Sequence, residues 1–226
     1  MTPFFRGAVG AAAALIAFAA APAAHAVNII TWGGLSTDKV TAINNGAGST
    51  TIFGANVPIS IDSLNGAPVN ISAYLNLSTT STDAATLSGP SILQHYSGVF
   101  FITAGSGGNG LTGGTGTNYL SATFSDAVFG SGSALTLSSS EPSETVSFTS
   151  GPGGVTDLDS PRAFAIGLTN VTPSLSIDNG SINSFTASQS GTVSAEVGVL
   201  VPEPASFALL GIGTASLGML GRRRKH

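Results

Sequence analysis

Val69-Asn70-Ile71-Ser72-Ala73-Tyr74-Leu75-Asn76-Leu77 is the stretch that decides the fold class. Its apolar residues fall on every second position, which puts Val69, Ile71, Ala73, Leu75 and Leu77 on one face of an extended chain. Working outward, the same alternation returns in Leu120-Ser121-Ala122-Thr123-Phe124, Leu135-Thr136-Leu137, Thr145 to Phe148 and Leu175-Ser176-Ile177. Val99-Phe100-Phe101-Ile102 and Ala163-Phe164-Ala165-Ile166 are continuous apolar runs and read as central strands. Asn44-Asn45-Gly46, Asn65-Gly66, Gly151-Pro152-Gly153-Gly154 and Asn179-Gly180 punctuate these runs. Asn179-Gly180, set between Leu175–Ile177 and Ile182–Phe185, predicts a hairpin closed by a type I′ turn. No segment of the body keeps a 3.6-residue period over three turns, and no repeat of constant period occurs. The expectation is an all-β chain with an antiparallel β-sandwich or jelly-roll-like body.

Composition narrows the function classes. Among 226 residues there is no cysteine, which excludes disulfides, thiolate metal sites and cysteine nucleophiles. Hydrophobic residues make up 42% and charged residues 8%, a balance unlike that of disordered chains. Net charge is −4, and a nucleic-acid partner would need a basic stripe. Between Val27 and Leu200 the only basic residues are Lys39 and Arg162 against ten carboxylates, so the body is acidic and no nucleic-acid partner is expected.

Residues 1–26 read as a secretory signal peptide. Arg6 supplies the basic start, an apolar run with Leu15, Ile16 and Phe18 follows, and Pro22 breaks it. Ala24-His25-Ala26 gives the small–x–small pattern cut by signal peptidase, so the mature chain is expected to begin at Val27. The body is then 27–200, long enough for one domain.

The last 26 residues have their own order of parts. Pro202-Glu203-Pro204 comes first, then an uncharged span over 205–221, then Arg222, Arg223, Arg224 and Lys225 before His226. Seventeen residues at about 1.5 Å each reach roughly 26 Å, at the short limit for a transmembrane helix. The basic cluster is a cytoplasmic stop, so the body is expected outside the membrane and the tail inside. Pro204 fits the first turn of that helix. This arrangement over 201–226 resembles the PEP-CTERM sorting signal of Gram-negative bacteria. The resemblance implies that an exosortase, a membrane-embedded cysteine transpeptidase-like enzyme, recognises Pro202, Glu203 and Pro204 and processes the chain near them. It also implies transient anchoring in the inner membrane, then a cell-surface or matrix location, with exopolysaccharide as a partner and biofilm as the setting. It says nothing about the body.

The body offers no clear chemistry. His95 is its single histidine, and no Gly-x-Ser-x-Gly elbow singles out a serine. Asp157 and Asp159 are weak calcium candidates, two oxygen ligands on a loop after a glycine-rich turn. Glu141 and Glu144 are close in sequence, which does not by itself make a glycosidase cleft. Trp32, the only tryptophan, reads as a core residue rather than a sugar platform. Gly105–Gly116 lacks the Gly-Lys-Ser/Thr ending of a phosphate loop and reads as a mobile loop or one laid on a surface. No cofactor is expected.

The reading is therefore a non-enzymatic exported surface or matrix protein. Its rivals are a secreted hydrolase of matrix polysaccharide and an ice- or carbohydrate-binding surface protein. An ice face would need regularly spaced threonines, a spacing that Thr79, Thr80, Thr82 and Thr86 do not keep. Asn70, Asn76, Asn170 and Asn179 are Asn-x-Ser/Thr sequons.

Overall fold

A computed structural model describes residues 26–35, 39–81, 83–131 and 134–196, with the side chains of 126–134 left aside. The signal peptide up to His25 and the whole sorting tail lie outside the described residues. The body forms one compact unit, His25–Gly198.

The strands are β1 (Ala26–Gly34), β2 (Val40–Gly46), β3 (Ser49–Leu64), β4 (Ala67–Ser81), β5 (Thr86–Ser88), β6 (Ser91–Thr103) and β7 (Asn118–Ser131). They continue as β8 (Ala134–Ser140), β9 (Val146–Thr149), β10 (Asp159–Thr172), β11 (Ile177–Asp178), β12 (Ser181–Ile182) and β13 (Phe185–Glu196). The expected all-β antiparallel body is present. Its main sheet has 11 strands and runs β6-β4-β3-β1-β13-β10-β8-β7, where β7 pairs back onto β6 from Asn118↔Thr103 to Gly130↔Ile92. The two faces of the expected sandwich are thus one sheet wrapped into a barrel-like ring, which removes most free edges. β2 joins β1 between β3 and β13, and β9 lies beside β8 on β7.

Alternation explains which face turns inward. In β4, Ala73, Leu75 and Leu77 are buried, as the opening stretch predicts. Ile52, Ile59 and Ile61 of β3, Phe100 and Ile102 of β6, Leu120 of β7 and Val193 of β13 join them. At the centre Trp32 packs on Phe100 with ring centroids 6.2 Å apart, and Phe124 meets Phe164 edge-on at 4.7 Å. Burying each such side chain contributes about 1.5–3 kcal/mol. Two turns are the type I′ hairpins that Asn-Gly favours. Asn179 and Gly180 have φ of 50° and 76° between β11 and β12, and Asn65 and Gly66 have 53° and 74° between β3 and β4. The Asn44-Asn45-Gly46 signal is displaced: β2 runs through to Gly46, and the turn falls on Ala47 and Gly48.

A buried polar hub closes the ring at the end where β2 turns into β3. Gln94, fully buried on β6, donates from Nε2 to the carbonyls of Gly48 at 2.9 Å and Asp83 at 2.8 Å. Its Oε1 accepts the Tyr96 hydroxyl at 3.0 Å and the Ile182 amide at 3.3 Å. Four chain segments are tied to one side chain, and burial pushes the Tyr96 phenol well above its ordinary range.

Toward the opposite end, Glu141 clamps the start of β10. Its carboxylate accepts Ser160 Oγ at 2.7 Å and Arg162 N at 2.9 Å, with the Arg162 guanidinium at 3.4 Å. The Ser160 hydrogen bond first, then the backbone amide and charge of Arg162, hold the carboxyl below its ordinary value of 4.5. A depressed carboxyl stabilises the fold above its unfolded pKa, and that contribution is lost as pH falls through the folded one. Wild-type protein is therefore expected to exceed Glu141→Gln in urea midpoint at pH 7. The gap should narrow steadily once pH drops below about 4.5.

Candidate functional site

Two surfaces and one loop are candidates. The first surface is an open groove of about 470 Å³ on the outside of β6 and β7, lined by Asp83, His95, Ser97, Ser125, Ser143 and Glu144, with Tyr96 beneath. His95, the one body histidine, is exposed here, and among the described residues no hydrogen bond joins it to a carboxylate or a serine. Glu144 belongs to this groove while Glu141 is spent on Arg162, so the two acids close in sequence do not act as a pair.

The second surface is a band of small residues. Across β4, β3, β1, β13, β10 and β8 the register aligns Ser72, Ser60, Gly33, Ser190, Gly167 and Thr136. A neighbouring row aligns Ser63, Thr31, Thr192, Ala165 and Ser138, with Thr31 Oγ1 and Ser63 Oγ 2.8 Å apart. Threonines 79 and 80 do not form one array, because Thr79 is buried and Thr80 faces out.

The glycine-rich segment between β6 and β7 is laid down on the sheet. Asn56 accepts the amides of Gly107 and Gly108 at 2.8 and 2.9 Å and donates to the Gly108 carbonyl at 2.8 Å. A Cβ at Gly108 would strike the Asn76 side chain, and one at Gly110 the Phe53 ring, so glycine is what permits this approach. Of the two readings of this segment, the surface-laid one holds. The loop also roofs Asn76, which is fully buried, so no glycan reaches that sequon in the folded chain, whereas Asn70, Asn170 and Asn179 are exposed.

Trp32 is a core residue. It is 2% exposed, and its indole N–H donates to Gln189 Oε1 at 2.7 Å. Asp157 sits on the loop before β10 beside the Thr156 hydroxyl at 3.3 Å, and Asp159 opens β10 in solvent. Among the described residues no group of three or more histidines and carboxylates is placed to hold a metal ion. Among them, too, no helix is long and apolar enough to cross a membrane, and the predicted span 205–221 lies outside them.

The sorting residues Pro202, Glu203 and Pro204 and the basic stop Arg222–Lys225 also lie outside the described residues, and of the cleavage pair only Ala26 is described, as the first residue of β1. Sequence comparison decides the tail. Residues 200–225 match the PEP-CTERM protein-sorting motif. The PEP-CTERM match spans the proline–glutamate–proline triplet, the uncharged stretch and the basic cluster, and it leaves the body unassigned. It marks the chain as an exported, exosortase-sorted protein that passes through a membrane. No curated protein and no solved structure matches the chain. The groove escaped sequence reasoning because its lining comes from four separate stretches; the lone body histidine and Glu144 were the signals of it.

Proposed function

We propose that the chain is a non-enzymatic surface or matrix component, delivered by its PEP-CTERM tail and held in extracellular polysaccharide. The observation that carries this reading is the outer band, where six adjacent strands present only Ser, Gly and Thr in register. Such a face offers many short hydroxyl donors and acceptors, with the exposed Asp62 carboxylate beside Gly33, which suits extended contact with a hydrated polymer. The acidic body, with Lys39 and Arg162 as its only bases, supports solubility outside the cell.

One observation favours the hydrolase reading: Asp83 and Glu144 lie on the same groove. Against it, His95 has no hydrogen-bonded nucleophile or orienting acid among the described residues. Fractionating the native host separates the two readings. The matrix reading predicts protein enriched with the extracellular polymer and polymer chains of unchanged length after incubation with purified protein. Shortened chains would establish the hydrolase instead. Replacing the triplet by Pro202→Ala, Glu203→Ala and Pro204→Ala is expected to leave the tail attached and the protein in the membrane fraction, read by immunoblot against a C-terminal epitope.

A further inference from the structure

The groove between Asp83 and Glu144 is a built feature. Its floor comes from neighbouring strands: Ser97 on β6 stands directly opposite Ser125 on β7, and His95 lies two residues from Ser97 on the same face. Its walls are two loops. Asp83 follows β4, and its carbonyl is held by Gln94 Nε2 and Ser81 Oγ, both at 2.8 Å. Ser143 and Glu144 follow β8, where the Ser140 amide donates to Glu144 Oε2 at 2.9 Å and the Glu144 amide donates to the Ser140 carbonyl at 3.2 Å. The Ser125 amide donates to the Thr145 carbonyl at 3.1 Å, tying that loop to the floor. The walls stand in place before any ligand arrives, which lowers the ordering cost of binding.

The lining selects a ligand by chemistry. Its volume, about 470 Å³, suits a small molecule or a few units of a chain. Serine hydroxyls donate and accept, carboxylates accept, and an imidazole adds a flat face with ring nitrogens. An apolar ligand would leave these groups unpaired. An anion would meet two carboxylates with no lysine or arginine in the described lining. Neighbouring hydroxyls on a sugar ring match carboxylate and hydroxyl partners, and an ammonium group gains further from the acids. We propose that Asp83, His95, Ser97, Ser125, Ser143 and Glu144 form a saccharide site that takes neutral or amine-bearing sugar units and rejects uronic acids. This deepens the matrix reading by naming where the polymer is gripped.

Calorimetry on the full chain in detergent tests it with three probes: N-acetylglucosamine, glucosamine and galacturonic acid oligomers. The first two bind, glucosamine more tightly at low salt, and galacturonate does not. The double variant Asp83→Asn/Glu144→Gln loses at least about tenfold in affinity for both, and His95→Ala weakens them as well. Unchanged Trp32 fluorescence shows that the variants stay folded. No binding by any oligomer, preference for galacturonate, or unchanged affinity in the double variant overturns the proposal. Tail removal is read separately by mass, so a failed titration leaves the sorting assignment standing.

Discussion

Gln94→Leu is expected to lower unfolding free energy by about 4 kcal/mol, seen as a shifted urea midpoint with unchanged slope. Leucine is apolar and close in size, so most of the loss reports the polar role. What disappears is one side chain that satisfies the Gly48 and Asp83 carbonyls, the Ile182 amide and the Tyr96 hydroxyl. An unpaired buried polar group costs about 1–3 kcal/mol; the Asp83 carbonyl keeps Ser81 Oγ at 2.8 Å, so the loss comes from the other three groups, reduced by partial relaxation toward water. Against a typical domain stability of about 5–15 kcal/mol, such a loss approaches unfolding. Because Asp83 is one wall of the groove, the variant is also expected to weaken saccharide binding. A loss below about 1 kcal/mol would mean that these segments are held by other contacts.

Trp32→Ala is the second large effect, expected at about 4–5 kcal/mol. Removing the indole opens a cavity against Phe100 and strands Gln189, whose Oε1 loses its donor while its Nε2 already lacks a partner among the described residues. Trp32→Phe keeps most of the packing and is expected to cost about half as much. Gly191→Ala probes the same contact from the other side, since a Cβ there would fall within the Trp32 ring. Thermal or urea unfolding of the three variants checks the ranking. The wild type is best followed by fluorescence, because Trp32 is its single tryptophan and reports the core alone.

Legibility in the sequence followed the density of apolar alternation. β4 and the Asn179-Gly180 hairpin were readable because side-chain period and turn chemistry agreed at each position. β13 was not, because its inward positions are Phe185, Ala187, Gln189, Gly191, Val193 and Ala195. Gly191 leaves the space that the Trp32 ring fills and Gln189 accepts its indole N–H, and no pattern within the strand shows that. β3 was obscured by Gly54-Ala55-Asn56-Val57-Pro58, whose glycine, asparagine and proline break the apolar alternation. The structure makes it a bulge, with register slipping between Gly54 and Val57 and Asn56 at φ 51°. The groove depends on β7 closing onto β6 and on loops after β4 and β8, which are long-range events. The tail was legible for the opposite reason: its parts are contiguous and act through local order along the chain.

The central claim is that this tail is removed during export. Its most direct test is the intact mass and terminal peptides of the protein recovered from the surface of its native host. The account predicts a chain that begins at Val27 and ends near Pro202–Pro204. A surface protein still ending in Arg222–His226 would contradict exosortase processing and leave an exported protein that keeps its basic tail.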